Sequence, residues 1–250
     1  MQITVLGCWS PYPRAGGTCP GYLIELQGYQ LLLECGNGSF SRLQGVTDFR
    51  TLDGVIISHF HEDHAADLFC LKHALAGSIS NGSRAYPLDI WAPEEPARAL
   101  ESLNSQPSNV LKVHPLGQGI IRDQFEVQVM RAEHPMLTYA LRLTEKATGQ
   151  VLAYTADTGW KEELIELAKG ADVLLCEASY QEDDTVRRAF GGHLTAGEAG
   201  SLGREARVKK LVLTHFFPEY DLEVSRREAE QTFGSRVVLG GIDNSGKELI

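Results

Sequence analysis

Residues 58–64 read Ser-His-Phe-His-Glu-Asp-His, so His59, His61, Asp63 and His64 stand in the spacing H-x-H-x-D-H. Four metal-capable side chains within six positions crowd a single ion, but they can serve two neighbouring ions. His59 and His61, two residues apart in an extended turn, project to one side and can share a metal. Asp63 and His64 project differently and can serve a second. Imidazole nitrogen together with carboxylate oxygen suits zinc first, with manganese, iron or cobalt as alternatives. A chance cluster of surface histidines is the bland reading, yet periodic burial gives no reason for this spacing. A metal-dependent hydrolase is the reading that uses it, because two such ions make a shared water acidic enough to attack near neutral pH.

Something must hold these side chains. Gly54-Val55-Ile56-Ile57 is a short buried-strand pattern and residues 65–76 read as a helix, so the motif sits at a strand-to-helix junction. Backbone N–H groups at such a junction also favour anionic ligands. Further strands are predicted at 3–6, 22–26, 30–34, 88–91, 110–113, 125–130, 139–144, 151–155, 173–176, 210–214 and 237–239, with a last one at 248–250. Helices are predicted at 93–103, 161–168, 196–205 and 222–232. Strand runs followed by helices in each half predict an α/β fold, a two-sheet sandwich with helices outside, four layers deep. No linker or repeat interrupts it, so residues 1–250 read as a single domain. The segments 10–21 and 104–110 read as loops at the rim of a site.

The motif resembles the signature of the metallo-β-lactamase fold superfamily, whose later ligands each close a hydrophobic strand. His134 follows the alternating strand Phe125-Glu126-Val127-Gln128-Val129-Met130, in Arg131-Ala132-Glu133-His134-Pro135. Asp157 follows Val151-Leu152-Ala153-Tyr154-Thr155, and His215 follows Leu211-Val212-Leu213-Thr214. The resemblance implies an αββα sandwich in which His59, His61 and His134 hold one metal. It implies that Asp63, His64 and His215 hold a second, with Asp157 bridging the two. Two divalent ions, zinc before manganese or iron, are the cofactors it implies.

Two strings refine the resemblance. Where the family carries Asp in a string like L-x-D-C-G, this chain has Leu32-Leu33-Glu34-Cys35-Gly36. That carboxylate orients the metal-binding loop in the family. Glu34 keeps the charge on a longer arm, and such a change alters metal affinity or rate by roughly 10–100-fold. Gly191-Gly192-His193-Leu194-Thr195-Ala196 resembles the G-H-x-T-A element of the tRNase Z-like phosphodiesterases. There the histidine protonates the departing oxygen, so the resemblance makes His193 catalytic beside Asp63, which also serves as a ligand. Read structurally, Thr195 and Glu198 form a capping box on the following helix, and the two roles are compatible.

Composition narrows the partners. Lys plus Arg number 23 against 33 Asp plus Glu, a net charge of −10. A protein that grips long nucleic acid shows a basic face, because phosphate contacts dominate affinity. The basic clusters here are small, Arg187-Arg188 and Arg204, Arg207, Lys209, Lys210, and the second reads as a solvated face. A small anionic substrate fits better, since paired ions create a local positive field whatever the net charge. True tRNase Z enzymes carry a long basic arm between the residues matching Asp157 and His215. Here predicted helices, a strand and the His193 loop fill that interval. The chain resembles the branch without its tRNA-gripping arm.

Five cysteines with no C-x-x-C pair suggest neither a disulfide framework nor a cysteine-bound zinc. The opening Met1-Gln2-Ile3-Thr4-Val5-Leu6-Gly7 reads as a strand and not a signal peptide. No apolar run approaches about 18 residues, so no membrane span is expected. A reducing cytoplasm is the compartment these features suggest, and a homodimer is compatible with them. The expected activity is hydrolysis of small phosphodiesters. A lactone or thioester hydrolase and a non-hydrolytic sensing or binding module are the alternatives. A redox di-iron protein of this fold would carry a carboxylate-richer ligand set and a flavin domain.

Overall fold

The computed structural model describes residues 1–241, so the strand expected at 248–250 lies outside the described residues. Two β-sheets stack face to face. The first contains β1 (Gln2–Gly7), β2 (Gly21–Leu26), β3 (Tyr29–Leu33), β4 (Gly54–Ile56), β5 (Leu88–Ala92) and β6 (Leu111–Pro115), in sequence order across the sheet. β1 to β3 form an antiparallel meander and β3 to β6 run parallel. The second sheet begins with β7 (Ile120–Ile121), β8 (Phe125–Arg131) and β9 (Tyr139–Glu145). It continues through β10 (Val151–Tyr154), β11 (Val173–Glu177), β12 (Leu211–Thr214) and β13 (Val238–Leu239), again in sequence order. β7 to β10 alternate in direction, and β10 to β13 are parallel.

Strand periodicity explains the layers. In β10, Leu152 and Tyr154 point between the sheets while Val151 and Ala153 point under the helices, so both faces are buried. Ile24, Leu31, Leu33, Phe125 and Leu143 fill the space between the sheets. Burying each such side chain contributes roughly 1.5–3 kcal/mol. Helices α1 (Ser39–Leu43), α2 (Glu62–Ser80) and α3 (Ala97–Asn104) cover the outer face of the first sheet through Leu43, Leu68, Leu75 and Leu103. Helices α4 (Glu163–Ala168), α6 (Ala196–Glu205) and α7 (Leu222–Phe233) cover the second through Leu164, Leu202 and Ala229, and the short α5 (Thr185–Arg188) stands at the rim. The result is the four-layer αββα arrangement.

Some boundaries differ from the sequence reading. α2 starts at Glu62, so Asp63 and His64 belong to its first turn, where the acidic side chains suit the positive end of the helix. Strand β7 and helices α1 and α5 are too short for hydrophobic periodicity to reveal. Segment 104–110 is not at the metal-site rim. It leads into the N-terminal end of β6, and the Lys72 ammonium in mid-α2 donates to the carbonyls of Ser102 and Ser105. The metal-capable residues instead follow the C-terminal ends of the strands.

Candidate metal centre

Four strand ends deliver the site. β4 ends just before Ser58 and His59, β8 before His134, β10 before Asp157, and β12 before His215. Glu34 (φ 62) after β3, Ala156 (φ 51) after β10 and His215 (φ 59) after β12 adopt left-handed backbone conformations without being glycine. Such residues cost of order 1–3 kcal/mol each and persist only where the surroundings hold them. The loop carrying the H-x-H-x-D-H motif is backed by Glu34-Cys35-Gly36. Cys35 N–H donates to the His64 carbonyl at 2.8 Å, and Asp67 N–H donates to the Cys35 carbonyl at 3.0 Å. Gly36 lies so close that a Cβ there would stand 1.8 Å from the Asp63 carbonyl oxygen.

The structure brings all seven sequence-predicted residues together. His59 Nε2 lies 3.0 Å from His61 Nδ1, which lies 3.2 Å from His134 Nε2. His64 Nε2 lies 3.1 Å from His215 Nε2, and Asp63 Oδ2 lies 3.5 Å and 3.4 Å from those two nitrogens. Asp157 stands between the two groups. Its Oδ2 is 3.5 Å from His59 Nε2, while its Oδ1 is 3.2 Å from His64 Nε2 and 3.0 Å from His215 Nε2. One carboxylate oxygen therefore faces each cluster.

Three of the inward nitrogens are aimed by a hydrogen bond on the outer edge of the same imidazole, and a fourth faces a carboxylate there. His134 Nδ1 donates to the Gly192 carbonyl at 3.0 Å, which leaves Nε2 free to face inward. His59 Nδ1 pairs with Ser58 Oγ at 3.0 Å, and His215 Nδ1 pairs with Ser179 Oγ at 2.7 Å. His64 Nδ1 lies 3.6 Å from Glu34 Oε1, too long for a hydrogen bond but near enough to feel its charge. The Glu34 carboxylate also accepts from Ser58 N–H at 3.2 Å, so the longer side chain still reaches the metal loop. Ser10 Oγ donates to Asp63 Oδ2 at 2.8 Å, which puts the loop 10–21 at the rim of the site.

Electrostatics divides the imidazoles into two kinds. Burial pushes His59, His61 and His134 below the ordinary histidine range, and neighbouring imidazoles push the same way. Burial also opposes the charged forms of His64 and His215, but Asp157 and Asp63 outweigh it. They raise His64 well above its ordinary value and His215 to about 10. Burial would raise Asp63 and Asp157 in turn, yet the surrounding imidazoles hold both carboxyls below the usual range.

The donor set fits two metal ions. Bonds of about 2.0–2.1 Å to a tetrahedral zinc place neighbouring nitrogens roughly 3.3 Å apart, close to the observed spacings. Asp157 Oδ1, which faces the His64–His215 group, is buried yet lacks a hydrogen-bond partner, which folded proteins rarely tolerate without an ion or water. His59, His61, His134 and Asp157 form one candidate group, and Asp63, His64 and His215 another.

His193 is beside these groups and could even join Asp157 and His215 as a ligand. Its ring stacks on His215 at 5.4 Å and meets His134 edge-on at 5.2 Å. Its Nδ1 donates to Glu177, 3.1 Å from Oε1 and 3.2 Å from Oε2. Burial works against a charged His193, but Glu177 overcomes it and raises the imidazole above its ordinary value. Glu177 closes β11, accepts from Thr158 N–H at 2.6 Å and accepts from Ser179 Oγ, which joins it to His215. The sequence reading missed Glu177. The available signal was a carboxylate at the end of a buried strand, the same one that marks Asp157. Thr195 does cap α6: Glu198 N–H donates to its Oγ at 3.1 Å, and Thr195 N–H donates to Glu198 Oε2 at 2.8 Å. A cavity of about 250 Å³ opens beside His193 and His215, with Tyr180 and Phe217 among its walls.

The basic clusters are largely matched by acids. Arg187 pairs with Asp184, Arg188 with Glu182 and Lys209 with Asp172. No helix among the described residues is long and apolar enough to cross a membrane.

Comparison with known proteins agrees with this geometry. The sequence profile of the "Beta-lactamase superfamily domain" matches residues 29–216. The chain is 30% identical to the probable metallo-hydrolase YhfI of Bacillus subtilis, covering 95% of this chain and 96% of that one. The crystal structure of the metallo-beta-lactamase fold protein YhfI superposes with a TM-score of 0.87, covering 96% of this chain and 95% of the other. A Ribonuclease Z of Archaeoglobus fulgidus is 28% identical over 95% of both chains. That alignment runs to 294 positions, more than the 250 residues present here, so the relative carries insertions that this chain lacks.

Proposed function

Because the chain belongs to the beta-lactamase superfamily, we propose that it is a dinuclear metal-dependent hydrolase acting on small phosphodiesters. The observation that carries the reading is the Glu177–His193 pair, set between the candidate metal groups and an open cavity. A phosphodiester expels an alkoxide, a poor leaving group that needs a proton as it departs. A thioester expels a thiolate and has little use for one.

In this reading His59, His61 and His134 would hold one ion and Asp63, His64 and His215 the other, with Asp157, which turns one oxygen toward each group, serving both. Zinc is the ion the imidazole-rich set favours. When bound, the ions supply Lewis acidity that lowers the pKa of a shared water toward neutrality. The protein's own part is positional and protonic. Ser58, the Gly192 carbonyl, Ser179 and Glu34 fix the imidazoles. Glu177 keeps His193 Nδ1 occupied and favours the protonated ring, so Nε2 can deliver a proton to the leaving oxygen.

The substrate side favours small molecules over precursor tRNA. The net charge is −10, and Arg187 and Arg188 are already paired with acids. Between Asp157 and His215 the chain forms α4, β11, α5 and α6 and leaves no arm. Cyclic nucleotides, cyclic ribose phosphates and aryl diesters are the substrates this supports. A metal-loaded activity panel of phosphodiesters, phosphomonoesters, lactones, thioesters, sulfate esters and precursor tRNA tests it. The fastest turnover is expected on a small phosphodiester. A lactone or thioester rate far above every diester would overturn it.

A further inference from the structure

The cavity beside His193 has a chemical character that the metal groups do not explain. Its walls include Pro11, Tyr180, Phe190 and Phe217, with the Arg187 guanidinium among them. Phe217 is held from several sides. Arg187 lies 3.8 Å from its ring centroid, and Tyr12 and Tyr220 meet it edge-on at 6.1 Å and 5.2 Å. Arg187 is itself tethered to Asp184 at 2.8 Å, and Asp184 accepts from the Tyr220 hydroxyl at 2.6 Å. The wall is therefore organised before anything binds, which spares a ligand the entropy of ordering it. Phe190, by contrast, is 80% exposed at the cavity mouth. It stands three residues before His193, joined by Gly191 and Gly192 at φ 67 and 75. One short loop thus carries both a bare aromatic ring and the proton donor.

We propose that this cavity receives the leaving alcohol of the substrate and selects alcohols that carry a flat aromatic ring. The inference rests on the phosphodiester reading above. Its direction follows from His193. In an in-line displacement the attacking and leaving oxygens lie on opposite sides of phosphorus. The group that His193 protonates is the leaving oxygen, so whatever that oxygen is attached to extends into the cavity His193 lines. A flat ring there meets the faces and edges of Phe217 and Tyr180 and covers Phe190, where an alkyl chain leaves the aromatic geometry unused.

Two methyl phosphodiesters test this, one of a chlorinated phenol and one of a fluorinated alkanol of matched acidity, so that leaving ability is equal. Metal-loaded wild-type protein is expected to favour the aryl ester by about tenfold in kcat/KM. Phe217→Ala and Phe190→Ala are each expected to cut that ratio by about 3- to 10-fold, as expected for one aromatic contact. Binding supplies a readout independent of turnover. Calorimetry with benzyl(methyl)phosphinate and butyl(methyl)phosphinate, which contain no hydrolysable ester, should show the benzyl compound binding more tightly, with the difference reduced in both variants. Phe190 is so exposed that its truncation leaves the core intact, which keeps the test valid if Phe217→Ala does not fold. Equal kcat/KM for the two diesters in wild type would overturn the cavity assignment alone. Hydrolysis of neither diester, with turnover of a lactone or thioester, would remove the phosphodiester reading and this inference with it.

Discussion

The Nε2 atoms of His64 and His215 lie 3.1 Å apart although 151 positions separate the two residues in the chain. Both face Asp63 and Asp157, and both are raised by them, whereas His59, His61 and His134 are depressed chiefly by burial. The two candidate metal groups therefore start from different protonation states. A metal must displace any proton its ligand carries.

Zinc added to the metal-stripped protein at pH 7 should accordingly fill the His59–His61–His134 group with little proton release. Filling the His64–His215 group should release more, because Asp63 and Asp157 raise both imidazoles. The sign follows from the shifts: an imidazole raised above its ordinary value holds its proton through neutrality. Affinity for the second ion thus climbs with pH through neutrality and onward to at least His215's value of about 10. Titration calorimetry in buffers of differing protonation enthalpy measures this, and equal release at both steps would contradict it.

Asp157 presents one oxygen to each group. Wild-type protein should hold two divalent ions per chain after reconstitution, and Asp157→Ala should lose both together. His215→Ala should chiefly lose one. Elemental analysis returning a single ion in wild type would refute the dinuclear assignment.

Replacing His193 by Ala should leave metal content unchanged and reduce turnover by roughly 10²–10⁴-fold. The loss should shrink for a nitrophenolate leaving group, which departs without a proton. Glu177→Gln should shift the alkaline limb of the kcat profile to lower pH, because the Glu177 charge raises the pKa of His193. An unmoved limb would assign Glu177 a purely structural role.

A methyl group at Gly36 has nowhere to go, since its Cβ would meet both the Asp63 carbonyl and the Cys19 side chain. Gly36→Ala should destabilise the protein by about 3 kcal/mol in urea denaturation. It should also weaken the second metal by moving Asp63. A fully stable, fully loaded variant would show that the loop yields more easily than its backbone contacts imply.

Glu34→Gln removes the charge facing His64 Nδ1 but keeps the side-chain length. Metal affinity at the His64 group should fall by roughly 10–100-fold, with the His59 group less affected. Competition with a chelator resolves the two.

Much of this architecture was legible in the chain. The H-x-H-x-D-H spacing is local, so side-chain direction alone separates His59 and His61 from Asp63 and His64. His134, Asp157 and His215 could be placed because each closes a hydrophobic strand, and parallel strands that end together deliver their next residues to one edge. The alternation in β8 and the two-sided burial of β10 likewise follow from a period of two.

Other features depended on distances that span the whole chain. Glu177 lies 16 positions from His193 and is aimed at it only because β11 and the α5–α6 loop converge. Short elements such as β7 and α5 are fixed by their neighbours, and segment 104–110 went to the far end because β5 and β6 run parallel to β4. The aromatic cavity is assembled from the loops after β1, β11 and β12 and from the segment running from α5 to His193, none of which is periodic. By itself the sequence determined which residues are the candidates to carry the chemistry and the order of the strands that present them. Only the tertiary structure decided what orients those residues and what lines the cavity beside them, because orientation and enclosure arise from contacts between segments that local pattern does not couple.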